Sequence, residues 1–251
     1  MRNVTELIER YVAVWNEADA GERRQRIEAL WAPDGATCHR MLDARGWDAI
    51  HSRVTGSWEK WLRDGNYVFR AKRAFGHNDA VKFEWVMLKV PEQKVEATGL
   101  SFLLLDADGR LRADYQFNPI LDEARAFADR YVALWNERDA EKRRQRIAEL
   151  WTADGAHVSA KGVRIGHGAI EDGAATIHAA SLAEGSVFAA GTRSHAHHEV
   201  VSLTWQRRDA GDGKIVGAGS ELLMLDVKTG KIRFDYRFED PVGGGADPSD
   251  G

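Results

Sequence analysis

The sequence predicts an α+β protein built from two tandem domains, and three observations carry that reading. The stretch Tyr11 to Ala36, YVAVWNEADAGERRQRIEALWAPDGA, returns as Tyr131 to Ala156, YVALWNERDAEKRRQRIAELWTADGA, with 18 of 26 positions identical at a constant offset of 120. A period that long is a whole domain, far beyond the length of a solenoid repeat. Within each copy, apolar residues first recur at helical spacing and then switch to a period of two, so helices precede a run of strands. Finally, 251 residues suit two domains of about 120 residues, each large enough to bury its own core.

In the first copy, Val4, Leu7, Ile8, Tyr11, Val12 and Trp15 mark one face of a helix, with Asn3 or Thr5 placed to cap it. A second helix covers Arg23 to Trp31, with Ile27, Leu30 and Trp31 inward and Arg23, Arg24 and Arg26 outward; Glu22 and Arg26 stand four apart, as a supporting pair would. Ala32-Pro33-Asp34-Gly35 has the composition of a type I turn and leads into a short strand over 36–39. Ile50, Val54, Trp58, Trp61 and Leu62 predict a third helix between Gly46 and Gly65. Strands follow over 67–71, 80–90, 95–106 and 110–117, joined by turns at Pro91 to Lys94 and Asp106 to Gly109.

The second copy repeats this order after a short linker at Pro119 to Glu123: a helical stripe from Ala124 to Trp135, a third helix over 168–182, and strands near 187–190, 200–207, 214–226 and 231–238. The predicted domains are 1–120 and 121–240. The segment 241–251 reads VGGGADPSDG after Pro241 and should be a disordered tail.

Composition narrows the function. The chain is 43% hydrophobic and 29% charged with a net charge of -4 and a pI near 6.2. It lacks the clustered basic charge that phosphate backbones require, so no nucleic-acid partner is expected. Cys38 is the single cysteine, which excludes an intrachain disulfide and a cysteine-rich metal site. No run approaches the roughly 20 apolar residues of a membrane span, and the charges at Glu6, Glu9 and Arg10 interrupt what a signal peptide would keep apolar. A cytoplasmic protein is expected.

The run RYVAVWNEADAGERRQRIEALWAPDG resembles the start of SnoaL-like domains of the nuclear transport factor 2-like superfamily, and both copies extend the resemblance to their closing hairpins, 102–111 and 222–232. It implies, for each copy, a cone-shaped α+β barrel of three helices against a bent sheet around a small-molecule pocket. It also implies dimers packed through their sheets. Here the two copies would replace the two subunits as an intrachain pseudo-dimer, leaving the chain monomeric. The same cone serves polyketide cyclases, ketosteroid isomerases, dehydratases and proteins without enzyme activity.

In ketosteroid-isomerase-like members a helix-one tyrosine and a neutral carboxylic acid face an aspartate base, since enolisation needs a proton acceptor opposite hydrogen-bond donors. Carried over, the tyrosine falls on Tyr11 and Tyr131, the base on His39 and Ser159, and the acid on Ser101 and Glu221. The parts are thus split between copies, and neither base position holds the aspartate of the pattern. His39, Tyr11 and Ser101 form the candidate catalytic set, because an imidazole titrates near neutral pH; a histidine at a strand end is also commonly just a satisfied polar residue. Tyr131, Glu221, Ser159, Trp15 and Trp135 are the candidate ligand-binding residues. Glu221 stands among apolar neighbours where burial would raise its pKa, or it serves as a structural partner of Tyr131. His195, His197 and His198 suggest metal by type, but no carboxylate motif accompanies them, and neither metal nor cofactor is expected. Asp114-Tyr115 and Asp235-Tyr236, retained in both copies, either line the pocket mouth or serve the closing strand, while Trp85 and Trp205 at matching positions read as packing or interface rather than ligand stacking. The expected function is binding of a small apolar molecule. The alternative is a cyclase, isomerase or dehydratase working by general acid–base chemistry.

Overall fold

A computed structural model describes residues 3–39, 42–117 and 124–240. The chain divides into two compact units, Met1–Pro119 and Ile120–Gly251. The expected linker at Pro119 to Glu123 and the expected tail lie outside the described residues.

The first unit opens with α1, Val4–Asn16, whose cap is Asn3: its side chain accepts from the Glu6 backbone N–H at 3.2 Å. The helix buries Leu7, Ile8, Tyr11, Val14 and Trp15. Next, α2 (Ala20–Leu30) is capped by Asp19, which accepts from Glu22 N–H at 2.8 Å. Arg23, expected outward, is buried. Its Nη1 donates to Glu17 O at 2.5 Å and its Nε to Thr55 Oγ1 at 3.2 Å, so its charge is spent on carbonyls freed at the end of α1 and on the third helix.

Trp31 does not end α2 but begins β1, Trp31–His39, and the residues expected as a type I turn lie within this strand. Pairing jumps from Trp31 opposite Leu111 to Ala36 opposite Ala113, so the Pro33 segment is a bulge; proline, lacking an N–H, is tolerated there. A short strand that the sequence did not announce, β2 (Leu42–Arg45), pairs antiparallel with β1. Helix α3 spans Trp47–Ser57 and passes into a π-helical turn at Trp58–Arg63, where one longer helix was expected. The meander follows as β3 (Tyr67–His77), β4 (Ala80–Lys89), β5 (Lys94–Leu105) and β6 (Leu111–Phe117). The strand expected to stop at Ala71 runs on through Lys72 and Arg73, across a register shift. The order β2-β1-β6-β5-β4-β3, with β1 parallel to β6, makes a mixed six-stranded sheet.

The second unit repeats this plan with α4 (Arg125–Trp135), α5 (Ala140–Leu150), β7 (Trp151–Ser159), β8 (Gly162–Ile165), α6 (Gly166–Ala183), β9 (Ser186–His197), β10 (Val200–Asp209), β11 (Ile215–Leu225) and β12 (Ile232–Glu239). Its sheet order is β8-β7-β12-β11-β10-β9. Arg143 repeats the role of Arg23, with Nη1 donating to Glu137 O at 3.0 Å and Nη2 to Glu171 at 2.9 Å. The two units share one sheet-and-helix arrangement. Neither sheet closes into a barrel, since β2 and β3, and β8 and β9, remain edges.

In both units the helices cover one face of the sheet and enclose the core: Ile27, Trp31, Ile50, Phe83 and Leu103 in the first, Ile147, Trp151, Ile170, Leu203 and Leu223 in the second. Trp85 and Trp205 pack as expected, each lying across a glycine of the neighbouring strand, Gly99 and Gly219. A Cβ on Gly99 would overlap the Trp85 ring and stand 2.8 Å from Phe117 O, and one on Gly219 would stand 2.5 Å from the Trp205 ring. Gly99→Ala and Gly219→Ala should therefore each destabilise by roughly 1 to 3 kcal/mol, the usual cost of overpacking. Urea unfolding checks this; midpoints unchanged in both variants would mean that the tryptophans move aside freely.

Candidate functional site

Strand alternation decides which residues of β6 face the helices. Asp114 and Gln116 point to α1, and in register beside them stand Thr37 and His39 of β1 and Leu103 and Ser101 of β5. Tyr11, on the buried stripe of α1, reaches down to this row. Its hydroxyl donates to Asp114 Oδ2 at 2.6 Å, and Gln116 Nε2 donates to both Tyr11 Oη and Asp114 Oδ2 at 2.8 Å. Arg53 comes over from α3, donating from Nη1 to Thr37 Oγ1 at 2.5 Å and from Nη2 to Gln116 Oε1 at 2.6 Å, with its guanidinium 5.6 Å from the Trp15 ring centroid. Tyr11 also meets Trp15 at 6.1 Å and Phe83 edge-on at 5.1 Å.

These surroundings set the charges. Burial pushes the Asp114 carboxyl up to about 6, against the opposing pull of Tyr11, Arg53 and Gln116. Burial likewise raises the Tyr11 phenol well above its ordinary value; the Asp114 charge adds to this, and the Ser101 and Gln116 side chains oppose it. His39 is half-buried, and desolvation, helped by the Arg53 charge and opposed by Asp43, lowers its pKa.

The second unit keeps the pair and changes what surrounds it. Tyr131 donates to Asp235 Oδ2 at 2.8 Å. Beside them, Arg237 Nε donates to Glu221 Oε1 at 2.6 Å in an ion pair that is fully buried on the carboxylate side and 3% exposed on the guanidinium side. The guanidinium lies 4.2 Å from the Trp135 ring centroid and 5.3 Å from that of Trp205. His157 stands 4.0 Å from Asp235 Oδ2 and 5.6 Å, ring to ring, from Trp135. Burial, then the Glu221 charge, push the Asp235 carboxyl well up despite Arg237 and Tyr131. Tyr131 is raised first by burial, then by Asp235 and Glu221. For Arg237, burial works against the cation, but Glu221, Tyr131 and Asp235 outweigh it and leave its pKa raised.

The structure thus brings Tyr11 and Ser101 together and sets His39 at the rim, in the register of Gln116. Trp15 lies under Arg53, and Trp135 under Arg237. Glu221 is a structural partner, of Arg237 rather than of Tyr131, whose hydroxyl goes to Asp235. Ser159 closes the β7–β8 hairpin, accepting from Lys161 N–H at 3.2 Å and donating to Gly162 O at 3.4 Å. His195 lies on β9 and His198 in the turn beyond it, at φ 53°. Among the described residues, no three His, Cys, Asp or Glu side chains converge as a metal site would need. Sequence reasoning assigned no role to Arg53, Gln116 or Arg237, and left Asp114 and Asp235 between two readings. Their signals were present: an aspartate kept in both copies at an inward strand position, and a Gln-to-Arg exchange two residues later.

Half of the chain resembles several solved structures. A SnoaL-like family protein from Agrobacterium tumefaciens, described as an isomerase, is 22% identical over 46% of this chain and 96% of its own, with a TM-score of 0.43. A protein from Sinorhizobium meliloti described as a polyketide cyclase is 14% identical over 44% of this chain and 93% of its own, with a TM-score of 0.36. A protein from Catenulispora acidiphila with a ketosteroid isomerase-like fold, in complex with trimethylamine, is 15% identical over 46% of this chain and 86% of its own, also at 0.36. The likeness is one of fold. No protein-family model and no curated protein matches the sequence. Among the described residues, no helix is long and apolar enough to cross a membrane.

The Asp114 carboxyl titrates at about 6 in the folded chain against 3.8 when unfolded. The folded state therefore holds the proton more tightly, and the stability this contributes is full below pH 4 and lost as pH rises to 6. Asp114→Asn should remove that part of the slope, on the order of 2 kcal/mol between pH 4 and 6. Urea titrations of wild type and variant at both pH values check it; parallel pH profiles would show that Asp114 is not held in a site that disfavours its charge.

Proposed function

We propose that the first unit binds a small apolar molecule against its helix-covered sheet face, and that the equivalent place in the second unit is closed. The observation that carries this is the different surround of the two tyrosine–aspartate pairs. In the second unit, Glu221, Arg237, His157 and Ser159 are all buried around Tyr131 and Asp235. In the first, Gln116, Arg53 and His39 around Tyr11 and Asp114 are each half-buried. Phe69, half-buried and packed edge-on against Trp15, supplies apolar area, and the few polar groups at one end supply orientation, as small-molecule sites do.

One observation favours a second reading, a cofactor-independent isomerase, cyclase or dehydratase. Asp114, pushed up to about 6, and His39, whose imidazole is held below its ordinary value, stand on adjoining strands at this end of the site, and each could exchange a proton. In that reading Ser101 would face developing negative charge and His39 would take the proton, while Tyr11, whose hydroxyl proton goes to Asp114, would hold that carboxyl in place.

Calorimetric titration of the full chain with a panel of neutral and anionic bicyclic compounds tests the binding reading. The expected result is one site per chain. Tyr11→Phe should weaken binding about 3- to 10-fold, the worth of one hydrogen bond, while Tyr131→Phe leaves the affinity unchanged. Two equivalent sites, or equal loss from both variants, would contradict it.

A further inference from the structure

The duplicated register exposes what the first site lacks. In the second sheet, position 221 of β11 stands opposite position 237 of β12 and holds a carboxylate against a guanidinium. In the first sheet, the matching partners are Ser101 and Gln116, a hydroxyl and an amide. The cation of the first site comes from a different element, since Arg53 on α3 reaches Gln116 across the site. The second copy has Gly173 at that place, at the repeat offset of 120, and the side chain of Arg164 fills the gap, so that a Cβ there would stand 2.6 Å from its Nε. Among the described residues, Arg53 of the first unit therefore has no carboxylate bonded to it, whereas Arg237 of the second has Glu221.

Arg53 bonds only to neutral acceptors, Thr37 Oγ1 and Gln116 Oε1, leaving three of its five N–H groups uncommitted. The nearby carboxylate Asp114 spends Oδ2 on Tyr11 and Gln116, with Gln116 interposed before Arg53. A second, independent observation marks the place of the missing anion. Ser101 Oγ is fully buried at the register of Glu221, where it lies close enough to the Tyr11 hydroxyl to lower that phenol's pKa but makes no hydrogen bond of full geometry, and a buried hydroxyl so weakly partnered is costly. Trp15 beneath Arg53 holds the guanidinium plane, as Trp135 does for Arg237.

Resting on the binding reading above, we propose that the ligand of the first unit is an apolar carboxylate. Its carboxylate takes on Arg53 and Ser101 the place that Glu221 takes on Arg237, and its apolar body lies against half-buried Phe69 and the neighbouring edge of Trp15. The second copy carries its own carboxylate in the chain; the first receives one from outside. Arg53, planar and forked, suits two-point recognition of a carboxylate.

The test is calorimetry on the full chain with three carboxylates, 2-naphthoate, phenylacetate and octanoate, each against its primary amide. At least one carboxylate should bind about 10-fold or more tightly than its amide, the worth of a hydrogen bond to a charged group. Arg53→Gln should abolish that preference while leaving amide affinity within about 3-fold, and Arg53→Lys, which keeps the charge without the fork, should fall between. Urea midpoints confirm that the variants are folded. Equal binding of acid and amide, or a preference that survives Arg53→Gln, overturns the carboxylate and leaves apolar binding standing. No binding of any compound at millimolar concentration overturns both.

Discussion

A carboxylate buried beneath the first helix needs donors, and in this protein the constraint is met twice by a tyrosine one helical layer above it. Tyr11 on Asp114 and Tyr131 on Asp235 join the first helix of each unit to its closing strand across more than a hundred residues of sequence. Removing an acid from water is tolerable when hydrogen bonds replace the solvent, and even then burial holds both carboxyls above their ordinary range. Once this bond fixes α1 over β6, the aromatic residues on the same helix stripe, Trp15 and Trp135, fall into place beside whatever cation the sheet or third helix supplies.

Duplication made that second choice twice, with opposite outcomes. In the second unit, Arg237 and Glu221 neutralise each other inside the core, wedged between two indole rings, and breaking such a pair from one side is costly because the remaining charge has no water to return to. The first unit took its cation from α3 instead, where it reaches the site from a half-buried position and keeps donors to spare. The two units thus share a scaffold and differ in how the charge beside the tyrosine–aspartate pair is balanced.

Much of the fold was legible in the sequence because it rests on local signals: the repeat at offset 120, the helix stripes and the two-residue period of the meander. What escaped was set by partners distant in the chain. The residues 32–35 read as a turn because proline and glycine dominate their composition, yet pairing with β6 holds them as a bulge within β1. The strands β2 and β8 are four residues each, too short for periodicity, and exist through their neighbours. Arg23 reads as solvated from its helical spacing, but carbonyls at the α1–α2 corner draw it in. At the candidate site the tyrosines were legible from the motif that carries them. Arg53 was not, because a single arginine on a helix says nothing of what it reaches across the sheet, and Glu221 was paired in expectation with Tyr131 when its partner stood directly opposite on the neighbouring strand.

On the binding proposal, one tyrosine–aspartate scaffold takes a ligand in the first unit and is closed by its own ion pair in the second. A crystal structure of the full chain soaked in 2-naphthoate tests it most directly. The account predicts density for one molecule, in the first unit, with its carboxylate within hydrogen-bond reach of Arg53 and the Glu221–Arg237 pair intact. Density in the second unit beside a displaced Arg237, or a molecule in the first unit turned with its carboxylate away from Arg53, would contradict it.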